Sequence, residues 1–505
     1  MEETMNTDYI AFRDNRVTLT HPAGIPGGVV AAIPSKSHAH RLLIAAALSE
    51  APVRLLCPTT SKDIDATAVS LSAMGATIRR IEDGFLVDGS CRKSPASTED
   101  TGIPQAPEDM PRTLHPSDET PGILQVGESG STLRFLLPIL GALGCKAELH
   151  MQGRLSQRPL SPLYEEMCRH GVTLSPQGEN PLRIEGTLTP GDYQIDGGVS
   201  SQYITGLLFA LPLLSDDSRL TITGRLESRP YVDITLQVLR EFGITVKCAE
   251  GPDISSVPGA TVCFDIPGGQ HYRYRKENDA SNPAEGSNPP VCRVEGDWSN
   301  AAFFLTAGAI QPGAITVTGC NQASAQGDQA IVSLLARFGA TITTKPSVFS
   351  TGHTDITVSG GKLHAIEIDA ADIPDLVPIL SVASAYAEGT TIIRNIGRLR
   401  IKESDRVATV LEMLLGLGAD ASVEQDTSGE YLRITGKPTL RGGTVSSHND
   451  HRIAMAAAIA SLGCTGPVTI EDSMAVSKSY PGFYADLEEI LRPSGSRLPA
   501  WSIRR

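Results

Sequence analysis

The sequence predicts an α/β protein assembled from several copies of one unit, and two observations carry that reading. A phrase in which a helix ends on glycine and runs straight into a β-branched strand occurs five times, and glycine is the usual left-handed terminator of a helix. The chain of 505 residues also exceeds one hydrophobic core of ordinary size, which implies about two to four units.

The five copies are Met74-Gly75-Ala76-Thr77-Ile78, His170-Gly171-Val172-Thr173-Leu174, Phe242-Gly243-Ile244-Thr245-Val246, Phe338-Gly339-Ala340-Thr341-Ile342 and Leu417-Gly418-Ala419-Asp420. The stretches ahead of them, such as 331–338 and 236–242, place apolar residues at helical spacing, while 220–223 and 314–318 read as strands feeding those helices. A common helix-to-strand turn would explain any one copy. Five copies, about 70 to 100 residues apart, point instead to large packed repeats, since solenoid periods are shorter.

Hydrophobic residues make up 40% of the chain and charged residues 20%, the balance of a soluble globular protein. No apolar run approaches the ~20 residues a membrane helix needs. Residues 1–16 are polar and include Glu2, Glu3, Asp8 and Asp14, which fits neither a secretory signal nor a transit peptide, so a cytoplasmic protein is expected. The nine cysteines are scattered and never form a Cys-x-x-Cys pair, so they read as reduced thiols rather than as disulfides or a zinc knuckle. The net charge of -14 argues against nucleic-acid binding, which rests on clustered cations. An anionic ligand would need a local basic pocket. Two stretches, 94–122 and 271–290, are rich in polar residues and proline and read as exposed, mobile insertions.

Several helices begin in turns suited to anions, because helix N-termini present unpaired N–H groups and the positive end of the dipole. Pro34-Ser35-Lys36-Ser37-His38-Ala39-His40-Arg41 precedes the apolar stretch 42–48; Lys36, Ser37 and Arg41 suit one phosphate or carboxylate, and equally a capped helix with solvated cations. Gly127-Glu128-Ser129-Gly130-Ser131-Thr132-Leu133-Arg134 and Gly197-Gly198-Val199-Ser200-Ser201-Gln202 repeat the construction. Gly130 permits close approach to the backbone, and the serines offer neutral donors. Neither loop is a P-loop, since the Gly-Lys-Ser/Thr ending is absent. Arg154 and Arg158 lie four apart, Lys402-Glu403-Ser404-Asp405-Arg406 and Asn449-Asp450-His451-Arg452 head two further helices, and Lys478 follows a last strand. Each alone is compatible with a surface salt-bridge patch.

Taken in order, Ser35-Lys36-Ser37 with Arg41, the loop ending at Arg134, Arg154 to Pro159, Val199-Ser200-Ser201-Gln202, Ser228-Arg229-Pro230-Tyr231, Glu295-Gly296-Asp297, Gln326-Gly327-Asp328, Ile373-Pro374-Asp375, Arg394-Asn395-Ile396, Lys402 to Arg406, Asn449 to Arg452 and Lys478 resemble the enolpyruvylshikimate phosphate synthase family. The resemblance runs from about residue 10 to about residue 490, outside the two polar insertions.

It implies a two-lobed inside-out α/β barrel (EPT/RTPC-like), each lobe holding three repeats of a βαβαββ-type unit. One lobe would combine 1–34 with 294–505, the other would be 35–293, and the lobes would close over a cleft. It further implies enolpyruvyl transfer from phosphoenolpyruvate to the 5-hydroxyl of shikimate 3-phosphate, within the shikimate pathway to chorismate and the aromatic amino acids. No metal or organic cofactor is implied, and the protein is expected to be a monomer and a target of the inhibitor glyphosate. For shikimate 3-phosphate the resemblance implies Lys36, Ser37, Arg41, Ser200, Ser201, Gln202, Ser228, Tyr231, Asp375 and Lys402. For phosphoenolpyruvate it implies Lys36, Gly130, Arg158, Gln202, Arg406, Arg452 and Lys478, with Arg134 and Arg154 fitting the pattern. Asp375 would be the base for the hydroxyl, Glu403 the donor to the methylene carbon, and Lys36 a proton-transfer partner. Glu128 and Arg398 depart from the best-known bacterial pattern, each standing where asparagine is often found. A transferase acting on UDP-N-acetylglucosamine and a non-catalytic binding protein are the competing readings. The first lacks its cysteine-bearing loop here, and the second sits poorly with Asp375, Glu403 and the full set of cations.

Overall fold

The computed structural model describes residues 9–20, 25–89, 120–251, 254–275, 288–347 and 352–492. Two compact units divide the chain: a continuous one, Lys36–Val294, and a discontinuous one, Met1–Ser35 with Glu295–Arg505.

Twelve α-helices are described. The continuous unit contains α1 (Lys36–Ala47), α2 (Lys62–Ala73), α3 (Gly130–Leu143), α4 (Leu163–Arg169), α5 (Ser201–Ala210) and α6 (Arg229–Glu241). The discontinuous unit contains α7 (Trp298–Ile310), α8 (Ala330–Phe338), α9 (Val377–Tyr386), α10 (Arg406–Gly416), α11 (His451–Ala460) and α12 (Phe483–Leu491). Helices α1, α3, α5, α7, α9 and α11 are apolar on nearly every side and almost wholly buried, as expected of helices inside a core. Their partners α6 and α8 bury only one face, the amphipathic pattern of an outer layer.

Each unit carries three four-stranded sheets of one topology. In the sheet formed by Gly122–Gly127, Ala147–Met151, Leu182–Gly186 and Val172–Leu174, the first two strands are parallel and the remaining pairings antiparallel. The chain order is strand, buried helix, strand, second helix, then a hairpin whose first strand forms the sheet edge. All five glycines of the repeated phrase have positive φ, and each leads to such an edge strand. Glycine is needed there because a Cβ makes that conformation costly. The third copy gains its strand only at Lys247–Glu250, a few residues past Thr245. The sixth sheet has no glycine phrase: its hairpin, Ile10–Arg13 with Arg16–Leu19, pairs with Val468–Glu471 from the other end of the sequence.

The helix read from 42–48 begins earlier, at Lys36, so the basic turn is its first turn. Of the two expected insertions, 94–119 and 276–287 lie outside the described residues. The start of the second one is corrected: Tyr272 is fully buried and its hydroxyl donates to the Phe209 carbonyl at 2.7 Å, because an aromatic ring there adds apolar area to the core. All eight described cysteines are free thiols, and no described helix is long and apolar enough to cross a membrane.

Helix α5 packs against α3 at Gly206, where a Cβ would stand 2.4 Å from the Arg134 carbonyl oxygen and 3.0 Å from Pro138. Alanine normally favours a helix over glycine by up to ~1 kcal/mol, but here overpacking should dominate at roughly 1–3 kcal/mol. Gly206→Ala is therefore expected to lower the urea-unfolding midpoint. A midpoint equal to or above the parent's would show that the two helices do not pack through this residue.

Candidate active site

In the continuous unit the motif residues gather where α1, α3, α5 and α6 begin. Lys36, the first residue of α1, reaches Asp63 at the head of α2 with Nζ 2.9 Å from Oδ2. One turn on, Arg41 is buried and bonds only neutral oxygens: Nε donates to Thr235 Oγ1 at 2.8 Å, Nη1 to the Ser37 carbonyl at 2.6 Å, and Nη2 to Thr205 Oγ1 at 3.2 Å and the Tyr231 carbonyl at 2.9 Å. Burial pulls its guanidinium down to about 9, since desolvation disfavours the charged form.

The glycine loop lies beside two guanidinium groups. A Cβ on Gly130 would stand 2.6 Å from Arg134 Nη1 and 2.7 Å from Arg158 Nη1, so only glycine leaves those nitrogens in place. Gln202, in the first turn of α5, joins this cluster by accepting from Arg134 Nη1 at 3.1 Å and donating to Ser131 Oγ at 3.0 Å. Ser200 caps α5 by accepting from the Gln202 N–H, and Ser201 is buried beside it. Ser228 precedes α6 in the left-handed region, with φ 54°, and the Glu227 N–H bonds the Gly197 carbonyl, tying the two serine turns together. Arg154 is exposed, and Arg229 is engaged by Asp233 and Glu250.

In the discontinuous unit everything turns on Arg406, whose side chain is 1% exposed. Its Nε donates to Asp450 Oδ2 at 2.8 Å, Nη1 to Asp375 Oδ1 at 2.7 Å and Nη2 to Glu403 Oε2 at 2.6 Å. Burial alone would lower this guanidinium; Asp450, Glu403 and Asp375 outweigh it and hold it well above its ordinary value. Arg452 donates to the other Asp375 oxygen at 3.0 Å and to Ser299 Oγ at 3.1 Å. Lys402 Nζ lies 3.5 Å from Asp375 Oδ1, and Lys478, also buried, donates to the Asn449 carbonyl at 2.7 Å. Arg406, Arg452 and Lys402 thus meet three carboxylates, and Lys478 on the Asn449 carbonyl adds a fourth cation, a surplus suited to a polyanion.

Asp450, to which the sequence assigns no role, is the fully buried hub: it caps α11 through the Arg452 N–H and accepts from Ser404 Oγ. Asp63, partner of Lys36, was missed; its only signal is an acid in the first turn behind the Ser61 cap.

The model of the family described as EPSP synthase (3-phosphoshikimate 1-carboxyvinyltransferase) matches residues 22–103 and 110–487. The chain belongs to that family. Its relatives include proteins named 3-phosphoshikimate 1-carboxyvinyltransferase from Clostridium kluyveri, 37% identical over 94% of this chain and 97% of the relative, and from Clostridium novyi, 38% identical over 93% and 95%. Among solved structures, the EPSP synthase from Acinetobacter baumannii superposes with a TM-score of 0.69 at 23% identity, covering 94% of this chain and 98% of its own. The enolpyruvyl transferase NikO from Streptomyces tendae gives 0.64 at 20% identity, with coverages of 94% and 97%. At those identities the structures establish a shared fold, the mixed α/β fold of the family.

Burial pushes the Lys402 ammonium down to about 8 from its ordinary 10.5, against the pull of Asp375. Between those two values the unfolded chain binds more protons than the folded one, so stability should rise with pH from about 8 toward 10.5. With a fifth of the side chain still accessible, the expected rise is about 1 to 2 kcal/mol. Urea titrations at both ends of this range should show the increment in the parent and not in Lys402→Met. An identical increment in the variant would assign the effect to another group.

Proposed function

We propose that this protein is a 3-phosphoshikimate 1-carboxyvinyltransferase, which transfers the enolpyruvyl group of phosphoenolpyruvate to the 5-hydroxyl of shikimate 3-phosphate and releases phosphate. The observation that carries the chemical reading is the setting of Asp375, a carboxylate held by Arg406 and Arg452 with Lys402 beside it. A base fixed among cations can take a hydroxyl proton next to a bound polyanion.

In the addition step the 5-oxygen bonds to carbon 2 of phosphoenolpyruvate, its proton passes to Asp375, and carbon 3 gains a proton from Glu403. In the elimination step carbon 3 returns a proton to Glu403, the bond from carbon 2 to the phosphate oxygen breaks, which restores the double bond, and the proton held by Asp375 leaves with the phosphate. Glu403 accepts from Arg406, so donation to carbon requires it first to take a proton. Lys36 serves as the proton-transfer partner. Shikimate 3-phosphate is assigned to Lys36, Ser37, Arg41, Ser200, Ser201, Gln202, Ser228, Tyr231, Asp375 and Lys402, and phosphoenolpyruvate to Lys36, Gly130, Arg158, Gln202, Arg406, Arg452 and Lys478. Supporting this division, hydroxyls and forked guanidiniums match phosphate and carboxylate geometry. The finer architectural reading, an inside-out barrel in each unit, is supported by the presence in each unit of three sheets of one topology and three nearly all-buried helices. The same proposal takes the protein as a cytoplasmic monomer, inhibited by glyphosate.

Phosphate release should require both substrates together; release with phosphoenolpyruvate alone, or none, would overturn the proposal. Asp375→Ala should abolish turnover while the fold persists, because Arg406 keeps Asp450 and Glu403. Activity within about tenfold of the parent, roughly 1.4 kcal/mol of barrier, would reject Asp375 as the base.

For Gly130→Ala the added methyl must push Arg134 and Arg158 aside, which should hurt the longer glyphosate more than phosphoenolpyruvate. Discrimination of ~1 to 3 kcal/mol is typical of one methyl in a tight pocket, with some rise in the KM for phosphoenolpyruvate. Inhibition curves at matched phosphoenolpyruvate saturation test this. Equal inhibition of variant and parent would remove Gly130 from the pocket.

A further inference from the structure

A buried histidine that the assigned chemistry does not use sits behind the glycine loop. His40 lies on α1 four residues after Lys36, and Thr67 lies on α2 four residues after Asp63, so both pairs share a helix face. The two helices are joined by two rungs: Lys36 Nζ to Asp63 Oδ2 at 2.9 Å, and His40 Nδ1 to Thr67 Oγ1 at 2.6 Å. The second rung continues inward, from Thr67 Oγ1 to Thr132 Oγ1 at 2.6 Å and from Thr132 Oγ1 to Ser129 Oγ at 2.7 Å. Ser129 is the N-cap of α3, accepting the Thr132 N–H at 3.2 Å, and the next residue is Gly130.

The direction of this chain follows from counting protons. Each hydroxyl has one hydrogen to give. Thr132 gives its hydrogen to Ser129, so the Thr67 hydrogen goes to Thr132 at 2.6 Å in preference to its other acceptor, the Asp63 carbonyl at 3.4 Å, and with that hydrogen spent the one between His40 and Thr67 comes from the imidazole. His40 is therefore the Nδ1–H tautomer. Its Nε2 is left as a buried acceptor with no partner among the described residues. Burial, then Lys36 and Arg41, hold the ring well below its ordinary value, so it stays neutral and this tautomer persists.

We propose that His40 is a positioning residue for phosphoenolpyruvate: by donating from Nδ1 it orients the Thr67–Thr132–Ser129 hydroxyl chain, which fixes the cap of α3 and with it the Gly130 backbone against Arg134 and Arg158. The inference rests on the assignment of Gly130 and Arg158 to phosphoenolpyruvate made above. A buried imidazole with one nitrogen unsatisfied is a costly way merely to fill space, since an unpaired buried polar atom is destabilising. A role for its other nitrogen accounts for that cost.

The test uses the full chain and three variants. His40→Leu removes the donor and keeps apolar bulk; Thr67→Val removes the relay with little change of shape; His40→Asn puts an amide N–H where Nδ1–H was. Steady-state kinetics should show His40→Leu and Thr67→Val each raising the KM for phosphoenolpyruvate about tenfold, with the KM for shikimate 3-phosphate changed less than about twofold. His40→Asn should restore the parent value to within about threefold. The double variant His40→Leu/Thr67→Val should be no worse than the poorer single one, because both break one chain. Should His40→Leu fail to fold, Thr67→Val and His40→Asn still decide the matter. Equal rises in both KM values, multiplying losses in the double variant, or failure of asparagine to rescue would overturn the positioning role while the parent remains active. A parent inactive with both substrates would overturn the functional reading and this inference together, so the two failures are distinguishable.

Discussion

A guanidinium removed from water costs several kcal/mol unless carboxylates and further hydrogen bonds surround it. Arg406 meets that demand with Asp450, Asp375 and Glu403 on its three nitrogens. The demand is reciprocal, because Asp450 is itself fully buried and needs Arg406, the Ser404 hydroxyl and the Arg452 N–H. One ion-pair cluster thus pins the start of α10, the start of α11 and the turn ahead of α9. The positions of Asp375 and Glu403 follow from it, so the carboxylates assigned to proton transfer are oriented before any substrate arrives.

The continuous unit solves a related problem differently. Arg41 is as buried as its counterpart, yet it bonds two threonine hydroxyls and two carbonyls. Neutral acceptors satisfy its N–H groups without cancelling its charge. The consequence is a lowered affinity for its proton and an unspent positive charge, which a nearby anion would stabilise. Lys36 is the exception, since Asp63 takes up its charge directly.

Much of the repeat was legible because its signal is local. Each glycine of the five phrases needs positive φ, and that requirement lies within a few residues of sequence. The sixth sheet left no such local signal, since its edge hairpin at Ile10–Leu19 is separated from its partner strand by nearly the whole chain, and only the family resemblance joined 1–34 to the C-terminal half. The same divide runs through the site. Basic turns at helix starts stood out as motifs, and the family resemblance gave them roles. Asp63, His40 and Thr67 did not stand out: an acid behind a cap and polar residues on a helix face look like ordinary capping and filling until the neighbouring helix is seen.

The location of the functional residues follows from the burial of the helices. A helix that is apolar all round and enclosed by sheets and outer helices offers no lateral surface to a ligand, so only its ends remain. At the C-terminal end the free groups are carbonyls, which repel anions; at the N-terminal end they are N–H groups, which attract them. A cap must satisfy part of that end, and the caps here are Ser129, Ser200, Asp297 and Asp450, each adjoining residues assigned to substrate or holding them in place. A chain with a net charge of -14 can therefore bind polyanions without a basic surface, because the core helices deliver backbone donors and a few buried cations to the same spots within each unit.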